Sequence, residues 1–156
     1  MNKVIHYNDL PRLISKLSSN KKVLVGGCFD ILHLGHVRFL REAKKYGKVL
    51  VALESDATLT KHKGHLRPIH QQAERAEVLA TLRTVDYVIL LPAFTKHADY
   101  FQLVKDISPQ VICITAGDPL MKNKQLQAKD VGAKLIIIPK IHTPSTTQLM
   151  KLLEIE

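Results

Sequence analysis

The fold is decided by residues 23–47, which read VLVGGCFDILHLGHVRFLREAKKYG. The first seven form a short apolar run typical of a buried strand, and from Leu34 onward apolar residues recur at helical spacing. Between the two patterns lies a short segment that contains Asp30 and His33, with a glycine near each end. The stretch therefore predicts a strand, a loop and a helix, the unit from which parallel α/β sheets are built.

The same alternation continues along the whole chain. Five apolar runs are strand candidates, at 23–29, 49–55, 85–91, 110–115 and 134–139. Helical patterns occur at about 8–18, 34–47, 70–83, 97–107 and 145–153. Strands that alternate with helices indicate a parallel sheet covered on both faces. We therefore expect an α/β fold, with residues 1–156 as a single Rossmann-like doubly wound domain, a five-stranded parallel sheet and a core within 22–153.

The composition narrows the class of protein. Of the 156 residues, 46% are hydrophobic and 24% are charged, as in soluble globular proteins. No apolar run approaches a membrane span, and the first ten residues lack the apolar centre of a signal peptide, so we expect a cytoplasmic protein without a membrane partner. Cys28 and Cys113, the two cysteines, are too few for a disulfide framework.

The net charge of +9 favours an anionic partner. Aromatic residues make up only 5% of the chain and tryptophan is absent, so there are few platforms on which nucleic-acid bases could stack. The basic residues are also spread along the chain rather than gathered in one arm. This pattern favours a phosphate-rich ligand over nucleic acid, and a solvated basic surface is the simpler alternative.

Ligands of doubly wound sheets bind beyond the carboxyl ends of the strands. Four stretches predicted as loops occupy such positions, namely 27–36, 55–69, 115–122 and 141–147. Neither the P-loop motif G-x-x-x-x-G-K-[ST] nor the dinucleotide motif G-x-G-x-x-G occurs in the chain. A phosphate site, if present, must therefore be built in another way.

The first of these stretches contains His33 and His36 at the predicted start of a helix. Free N–H groups at a helix start favour an anion, and imidazoles beside it can donate hydrogen bonds to phosphate oxygens. We expect Gly27 and Gly35 to let the backbone approach such a ligand closely. A zinc site is the weaker alternative because the pair has no third ligand at a recognisable spacing, and packed core histidines are another.

The sequence GCFDILHLGH (27–36) resembles the G-x-F-D-x-x-H-x-G-H signature of the cytidylyltransferase-like nucleotidyltransferases. Residues 55–89 look most like the adenylyltransferase domain that makes ADP-heptose from heptose 1-phosphate. STTQL (145–149) is similar to the Ser-Thr-Thr signature that opens the family's last helix. The resemblance implies Mg²⁺-dependent transfer of a nucleotidyl group from a nucleoside triphosphate, with ATP expected, to a small phosphorylated metabolite such as a sugar phosphate. Pyrophosphate is the second product of this reaction. The resemblance also implies a homodimer.

The resemblance also implies roles for individual residues. His33 and His36 would contact the triphosphate and stabilise the transition state, Lys63 would lie on a loop over the phosphates, and Arg75 matches a family arginine. The implied catalytic set is thus His33, His36, Lys63 and Arg75. The implied nucleotide-binding set is Gly27, Cys28, Phe29, Asp30, Gly35, Lys61, Gly117, Asp118, Ser145, Thr146 and Thr147. Arg67 and Lys140 are candidates for acceptor binding, and no residue is assigned as a metal ligand.

Several of these residues also have a simpler interpretation. Residues 61–63 can form a solvated charged loop, Arg75 can be a surface residue in a weak ion pair, Asp118 can be a turn residue, and Ser145 can be an ordinary helix N-cap. The heptose-type enzymes usually carry a pattern like K-G-G-D-Y where this chain has TAGDP (115–119). This departure keeps two alternatives open: a cytidylyltransferase acting on glycerol 3-phosphate or another alcohol phosphate, and a nucleotide-binding regulatory module without turnover.

Overall fold

The computed structural model describes residues 2–154 as a parallel sheet with helices on both faces. The strands are β1 (Val4–His6), β2 (Lys22–Gly27), β3 (Lys48–Leu53), β4 (Tyr87–Leu90), β5 (Val111–Thr115) and β6 (Lys134–Ile138). After a 3-10 turn at Tyr7–Asp9, the helices are α1 (Leu10–Lys16), α2 (Leu34–Lys44), α3 (Asp56–Lys63), α4 (Gln72–Thr81), α5 (His97–Ile107), α6 (Met121–Val131) and α7 (Thr146–Leu152). None of the helices in this part of the chain is long and apolar enough to cross a bilayer.

The α/β class and the parallel sheet are confirmed, but the predicted number of five strands is wrong. The sheet has six strands in the order β1-β4-β3-β2-β5-β6. The additional strand, β1, pairs in parallel with β4, with Val4 opposite Val88. It was missed because three partly exposed residues form no apolar run long enough to stand out.

Two helices also went unpredicted. The sequence DATLTKHK of α3 carries no amphipathic pattern and therefore predicts a loop. The helix forms nevertheless, because the hydroxyl of Ser55 caps it by accepting a hydrogen bond from the N–H of Thr58 at 3.2 Å. In α6 only Gln127 and Ala128 are buried, so its polar sequence also lacks a helical apolar stripe.

The sheet is covered by one apolar layer on each face. Leu24 and Ile112 point to the layer that contains the buried residues of α1 and α5. Val23 and Val25 point to the opposite layer, with Leu40 of α2 and residues of α4. This alternation along a central strand buries both faces of the sheet, which is the reason the strand sequences are continuously apolar.

The position of β2 creates the ligand crevice. From β2 the chain passes through β3 to β4 on one side of the sheet, and then builds β5 and β6 on the other side. The helices that follow β2 and β5 therefore lie on opposite faces, which leaves a crevice between the carboxyl ends of these two neighbouring strands.

Candidate active site

A cavity of about 570 Å³ opens at this crevice, between the carboxyl ends of β2, β5 and β6. Of the predicted site residues, those that line it are Gly27, Cys28, Phe29, His33, Gly35, His36, Asp118, Lys140 and Ser145. The other predicted residues lie outside its lining, and they are Asp30, Lys61, Lys63, Arg67, Arg75, Gly117, Thr146 and Thr147. The signature loop is thus in the cavity wall, while most of the predicted cations are outside it.

The two signature histidines form the cap of α2. The Nδ1 atom of His33 accepts a hydrogen bond from the N–H of Gly35 at 3.0 Å, and Nδ1 of His36 accepts one from the N–H of His33 at 3.4 Å. The imidazoles take the places that Ser and Glu occupy in an ordinary capping box. Their ring centroids lie 3.9 Å apart, so the helix start holds both rings in one fixed arrangement.

The environment keeps both rings neutral. Burial lowers the pKa of His33, and burial together with the nearby charge of His33 lowers the pKa of His36 to about 4. Because each Nδ1 accepts a backbone N–H, the hydrogen-bond pattern assigns the remaining proton of each ring to Nε2. The pair therefore supplies two hydrogen-bond donors that carry no net charge at neutral pH.

The glycines of the signature make room for rings of the protein, and their close approach to a ligand stays a prediction. A Cβ on Gly35 would lie 2.7 Å from Cε1 of His33, and a Cβ on Gly27 would lie 2.9 Å from Cε2 of Phe29. Phe29 has φ of +46°, a left-handed conformation that is unusual for a bulky residue. Its buried ring lies 5.1 Å from the ring of His36, so these contacts support the histidine pair.

Asp30 fastens the signature loop to the segment before α4. It is 4% exposed and accepts hydrogen bonds from Nε of Arg67 at 2.6 Å and from the N–H groups of Ile69 and His70. Burial by itself would raise the pKa of Asp30, but these hydrogen bonds outweigh it and lower the pKa below its usual value. Arg67 is 3% exposed and outside the cavity lining, so its geometry is that of a structural partner, and its contact with an acceptor stays a prediction.

Arg75 ties together the loops that follow β2 and β3. It is 1% exposed, so the interpretation as a surface residue is wrong. Its Nη1 donates to the carbonyl of Cys28 at 2.6 Å, its Nη2 donates to the carbonyl of Glu54 and to the carboxylate of Asp56, and its Nε donates to the carbonyl of His70. These contacts make Arg75 a positioning residue for the loops that follow β2 and β3, and its catalytic role stays a prediction.

Lys61 and Lys63 lie on the last turn of α3, so the prediction of a loop at this point is wrong. Both side chains are exposed. Burial raises the pKa of Cys28, and the positive charge of Lys63 partly opposes this increase. Lys63 is therefore within electrostatic reach of the cavity wall, and α3 ends immediately after it at Gly64, whose φ is +97°.

The start of α7 is joined to the signature loop. The hydroxyl of Ser145 accepts a hydrogen bond from the N–H of Gln148 at 3.2 Å, which confirms its interpretation as an N-cap. The hydroxyl of Thr146 donates to the carbonyl of Ile31 at 2.9 Å, whereas Thr147 is half-buried beside it. Contacts of these three residues with the nucleotide stay predictions.

The turn after β5 is built by Gly117 and Asp118. Gly117 has φ of +80°, and the carboxylate of Asp118 accepts a hydrogen bond from the N–H of Leu120 at 2.7 Å. The interpretation of Asp118 as a turn residue is thereby confirmed, and its contact with the nucleotide stays a prediction. Lys140 is exposed at the opposite rim, after β6.

Three polar residues near the cavity were missed by the sequence reasoning: Glu54, Tyr100 and Lys124. Glu54 immediately follows β3, and a carboxylate directly after a buried strand is a signal that could have identified it. Lys124 lines the cavity from α6, and it was missed because α6 itself was missed. Tyr100 lies on α5, where nothing in the sequence distinguishes it from a packing residue.

Within residues 2–154 no group of three His, Cys, Asp or Glu side chains could hold a metal ion. Mg²⁺ keeps several waters and is commonly bound through substrate phosphates with few protein ligands. The donor set of this cavity fits an ion that arrives with a triphosphate, because its wall offers imidazole donors and lysines rather than a cage of carboxylates.

Comparison with known proteins agrees with this architecture. The family model described as cytidylyltransferase-like matches residues 24–148. The bifunctional protein HldE of Aliarcobacter butzleri (strain RM4018) is 38% identical over 148 residues, which cover 93% of this chain and 30% of that protein. The FAD synthase of Thermococcus sibiricus (strain DSM 12597 / MM 739) is 34% identical over 137 residues, which cover 85% of this chain and 90% of that enzyme. The chain thus spans under a third of the HldE relatives that it matches.

Solved structures give the same result. The lipopolysaccharide core biosynthesis protein from Thermoplasma volcanium GSS1 superposes with a TM-score of 0.62 at 27% identity, covering 78% of this chain and 97% of that one. The pantoate-beta-alanine ligase from Francisella tularensis, with a TM-score of 0.69 at 18% identity over 90% of this chain and 69% of that one, shares the fold. Since the family match extends from β2 to the start of α7 and includes the whole signature loop, this chain belongs to the cytidylyltransferase-like family of nucleotidyltransferases.

Proposed function

We propose that the chain transfers the adenylyl group of ATP to a sugar phosphate or a similar phosphorylated metabolite and releases pyrophosphate. The observation that carries this proposal is the neutral pair of His33 and His36, fixed by the backbone at the start of α2 inside the cavity. ATP is proposed rather than CTP because residues 55–89 resemble an adenylyltransferase domain and because the matched relatives include HldE and an FAD synthase.

The proposed reaction is a direct displacement. An oxygen of the acceptor phosphate forms a bond to the α-phosphorus of ATP, and the bond from that phosphorus to the oxygen bridging to the β-phosphate breaks. The electron pair leaves with pyrophosphate. A phosphate monoester has a second pKa near ~6 and is mostly dianionic at neutral pH, so no strong general base is required. The protein has to align the two polyanions and stabilise the charge that moves onto the leaving oxygens.

The histidine pair suits this task because its donors are arranged before the substrate arrives. Each Nδ1 is held by a backbone N–H, so the rings need no reorganisation when charge develops on a phosphate oxygen. The N–H groups at the start of α2 add to the attraction for an anion. Mg²⁺, carried by the phosphates and water, would neutralise part of the triphosphate charge.

The remaining groups have two different roles in this proposal. Arg75 and Asp30 hold the loops around the cavity in place, whereas Lys63 supplies a movable positive charge at the edge of the cavity. We also propose that residues 1–156 act as one nucleotidyltransferase domain, as a homodimer in the cytoplasm without nucleic-acid or membrane partners.

The test is pyrophosphate release by the purified chain. With Mg²⁺, ATP and a panel that contains heptose 1-phosphate, hexose 1-phosphates and glycerol 3-phosphate, we expect release with at least one sugar phosphate. Replacement of ATP by CTP should reduce the rate. A higher rate with CTP and glycerol 3-phosphate would establish the cytidylyltransferase alternative, and tight nucleotide binding without any release would establish the regulatory one.

A further inference from the structure

The side of the cavity formed by α6 holds a lysine above a glycine of the central strand. Nζ of Lys124 lies 3.4 Å from the position that a Cβ on Gly26 would occupy. Gly26 pairs with Ala52 of β3, so neither strand has a long side chain at this point. The space that these small residues leave is filled by the ammonium group, which faces the same cavity as the histidine pair.

This ammonium group has no hydrogen-bond partner among residues 2–154. Desolvation lowers the pKa of Lys124, although the negative charges of Asp118 and Glu54 partly oppose the decrease. A cation that is partly removed from water is costly unless an anion pairs with it. The other cavity-lining cations Arg38, Arg41 and Lys140 are exposed, so Lys124 differs from them in lacking full hydration.

A second polar group, formed by Glu54 and Tyr100, lies outside the cavity lining but within electrostatic reach of this ammonium. The hydroxyl of Tyr100 donates a hydrogen bond to Oε2 of Glu54 at 3.1 Å. Burial raises the pKa of Glu54, and the hydrogen bond from Tyr100 and the charge of Lys124 partly counteract this increase. The second carboxylate oxygen of Glu54 is an acceptor that can receive a hydroxyl group of a ligand.

The charges of this cluster select one class of ligand. A phosphate would pair with Lys124, and uncharged hydroxyl groups next to that phosphate would find the oxygens of Glu54 and Tyr100. A cationic head group would be attracted by Glu54 but repelled by Lys124, so the pair gives it little net attraction. The cluster therefore suits a phosphorylated sugar or polyol better than an amino-alcohol phosphate.

We propose that Lys124 binds the phosphate of the acceptor, and that Glu54 and Tyr100 bind its hydroxyl groups. This inference rests on the proposed function, because it assigns the second of the two phosphates that the reaction brings together. The triphosphate lies at the histidine pair in this arrangement, and the attacking phosphate approaches it from the α6 side of the same cavity. Lys124 and Glu54 are then determinants of acceptor specificity.

The test compares the binding of four ligands to the whole chain by calorimetry. The probes are heptose 1-phosphate, glycerol 3-phosphate, phosphocholine and, separately, the Mg²⁺ complex of α,β-methylene-ATP. Lys124→Met should weaken heptose 1-phosphate binding about 10- to 100-fold, the effect of losing a charge-assisted hydrogen bond, and change binding of the ATP analogue by less than about threefold. Lys122→Met, a lysine replacement on the exposed side of the same helix, should change neither. Phosphocholine should bind the unmodified protein at least about tenfold more weakly than heptose 1-phosphate.

Several outcomes would overturn the inference. For Lys124→Met, these are unchanged binding of heptose 1-phosphate, or an equal loss of affinity for heptose 1-phosphate and the ATP analogue. For the unmodified protein, they are phosphocholine binding as tight as that of heptose 1-phosphate, or binding of neither heptose 1-phosphate nor glycerol 3-phosphate. If Lys124→Met does not fold, Lys124→Gln takes its place with the same expectations. Failure of the proposed function looks different, because the unmodified protein would then bind heptose 1-phosphate through Lys124 and release no pyrophosphate.

Discussion

The two polar sides of the cavity are built on opposite principles. On the α2 side, His33 and His36 are neutral, and each Nδ1 already accepts a backbone hydrogen bond. On the α6 side, Lys124 is a cation for which residues 2–154 provide no hydrogen-bond partner. The hydrogen bonds that orient the histidines on the α2 side are present without a ligand, whereas the ammonium on the α6 side gains its partner only when a ligand binds. A group that stabilises a transition state benefits from the first arrangement, and a group that binds a charged substrate benefits from the second.

The largest expected effect on activity comes from removing one of the two histidines. His36→Ala deletes a donor and the acceptor for the N–H of His33, and we expect kcat to fall ~10²–10³-fold with an unchanged circular dichroism spectrum. Steady-state pyrophosphate release measures this change. His65→Ala, at an exposed position outside the cavity lining, is the matched control and should retain full activity. Full activity in His36→Ala would remove the pair from the chemistry.

The neutral state of His36 also gives stability a pH dependence. The pKa is about 4 in the folded protein against 6.5 for an unperturbed histidine, so the unfolded chain takes up its proton first as the pH falls. Stability should therefore be lost between pH 6.5 and about 4, by on the order of 2 to 3 kcal/mol from this group.

The measurement is urea unfolding across that pH range. His36→Asn offers an amide oxygen that can still accept the N–H of His33 but does not titrate, so its stability should fall less steeply with acid than that of the unmodified protein. His65→Asn should keep the original slope. Identical slopes in all three proteins would show that His36 is not held neutral by the fold.

Substitution of Gly35 tests whether its contact with the ring of His33 holds the histidine pair in position. A methyl group there would lie 2.7 Å from Cε1 of His33, so the ring must move. Gly35→Ala should lower the free energy of unfolding by about 1–3 kcal/mol, the usual effect of overpacking, and should reduce kcat as well. A variant with full activity and unchanged denaturant midpoint would show that the ring position is not restrained by this contact.

A smaller effect is expected at the edge of the cavity. Lys63→Met should raise the KM for ATP about tenfold, roughly 1.4 kcal/mol, because a movable positive charge near Cys28 is lost. Lys61→Met, on the same exposed turn, should change KM by less than about threefold. Equal effects of the two substitutions would mean that only the general charge of this helix end matters.

The strand, loop and helix of residues 23–47 could be predicted because the local spacing of apolar residues is enough to determine each of them. The apolar run fits a buried central strand, and the pattern from Leu34 fits a helix with one buried face. The additional strand β1 could not be predicted, because its three residues form a strand only through pairing with β4 far along the chain. Likewise α3 and α6 form without an apolar stripe, so the spacing of their apolar residues does not indicate a helix.

The site was predictable only to the extent that it is local. His33, His36 and Gly35 lie in one short motif, and the structure brings them together in the cavity. The burial of Arg75 and the pairing of Asp30 with Arg67 depend on loops from several strands, so sequence spacing could not reveal them. Lys124, Glu54 and Tyr100 come from three separate elements, and their proximity is a property of the sheet order.

The most direct test of the central claim, that a neutral histidine pair donates hydrogen bonds to the triphosphate, is a long-range ¹H–¹⁵N NMR spectrum of the imidazoles at pH 7. We expect both His33 and His36 to be neutral with the proton on Nε2, and both Nε2 resonances to shift when the Mg²⁺ complex of α,β-methylene-ATP is added. A protonated His36, a proton on Nδ1, or Nε2 resonances that do not respond to the nucleotide would contradict the account.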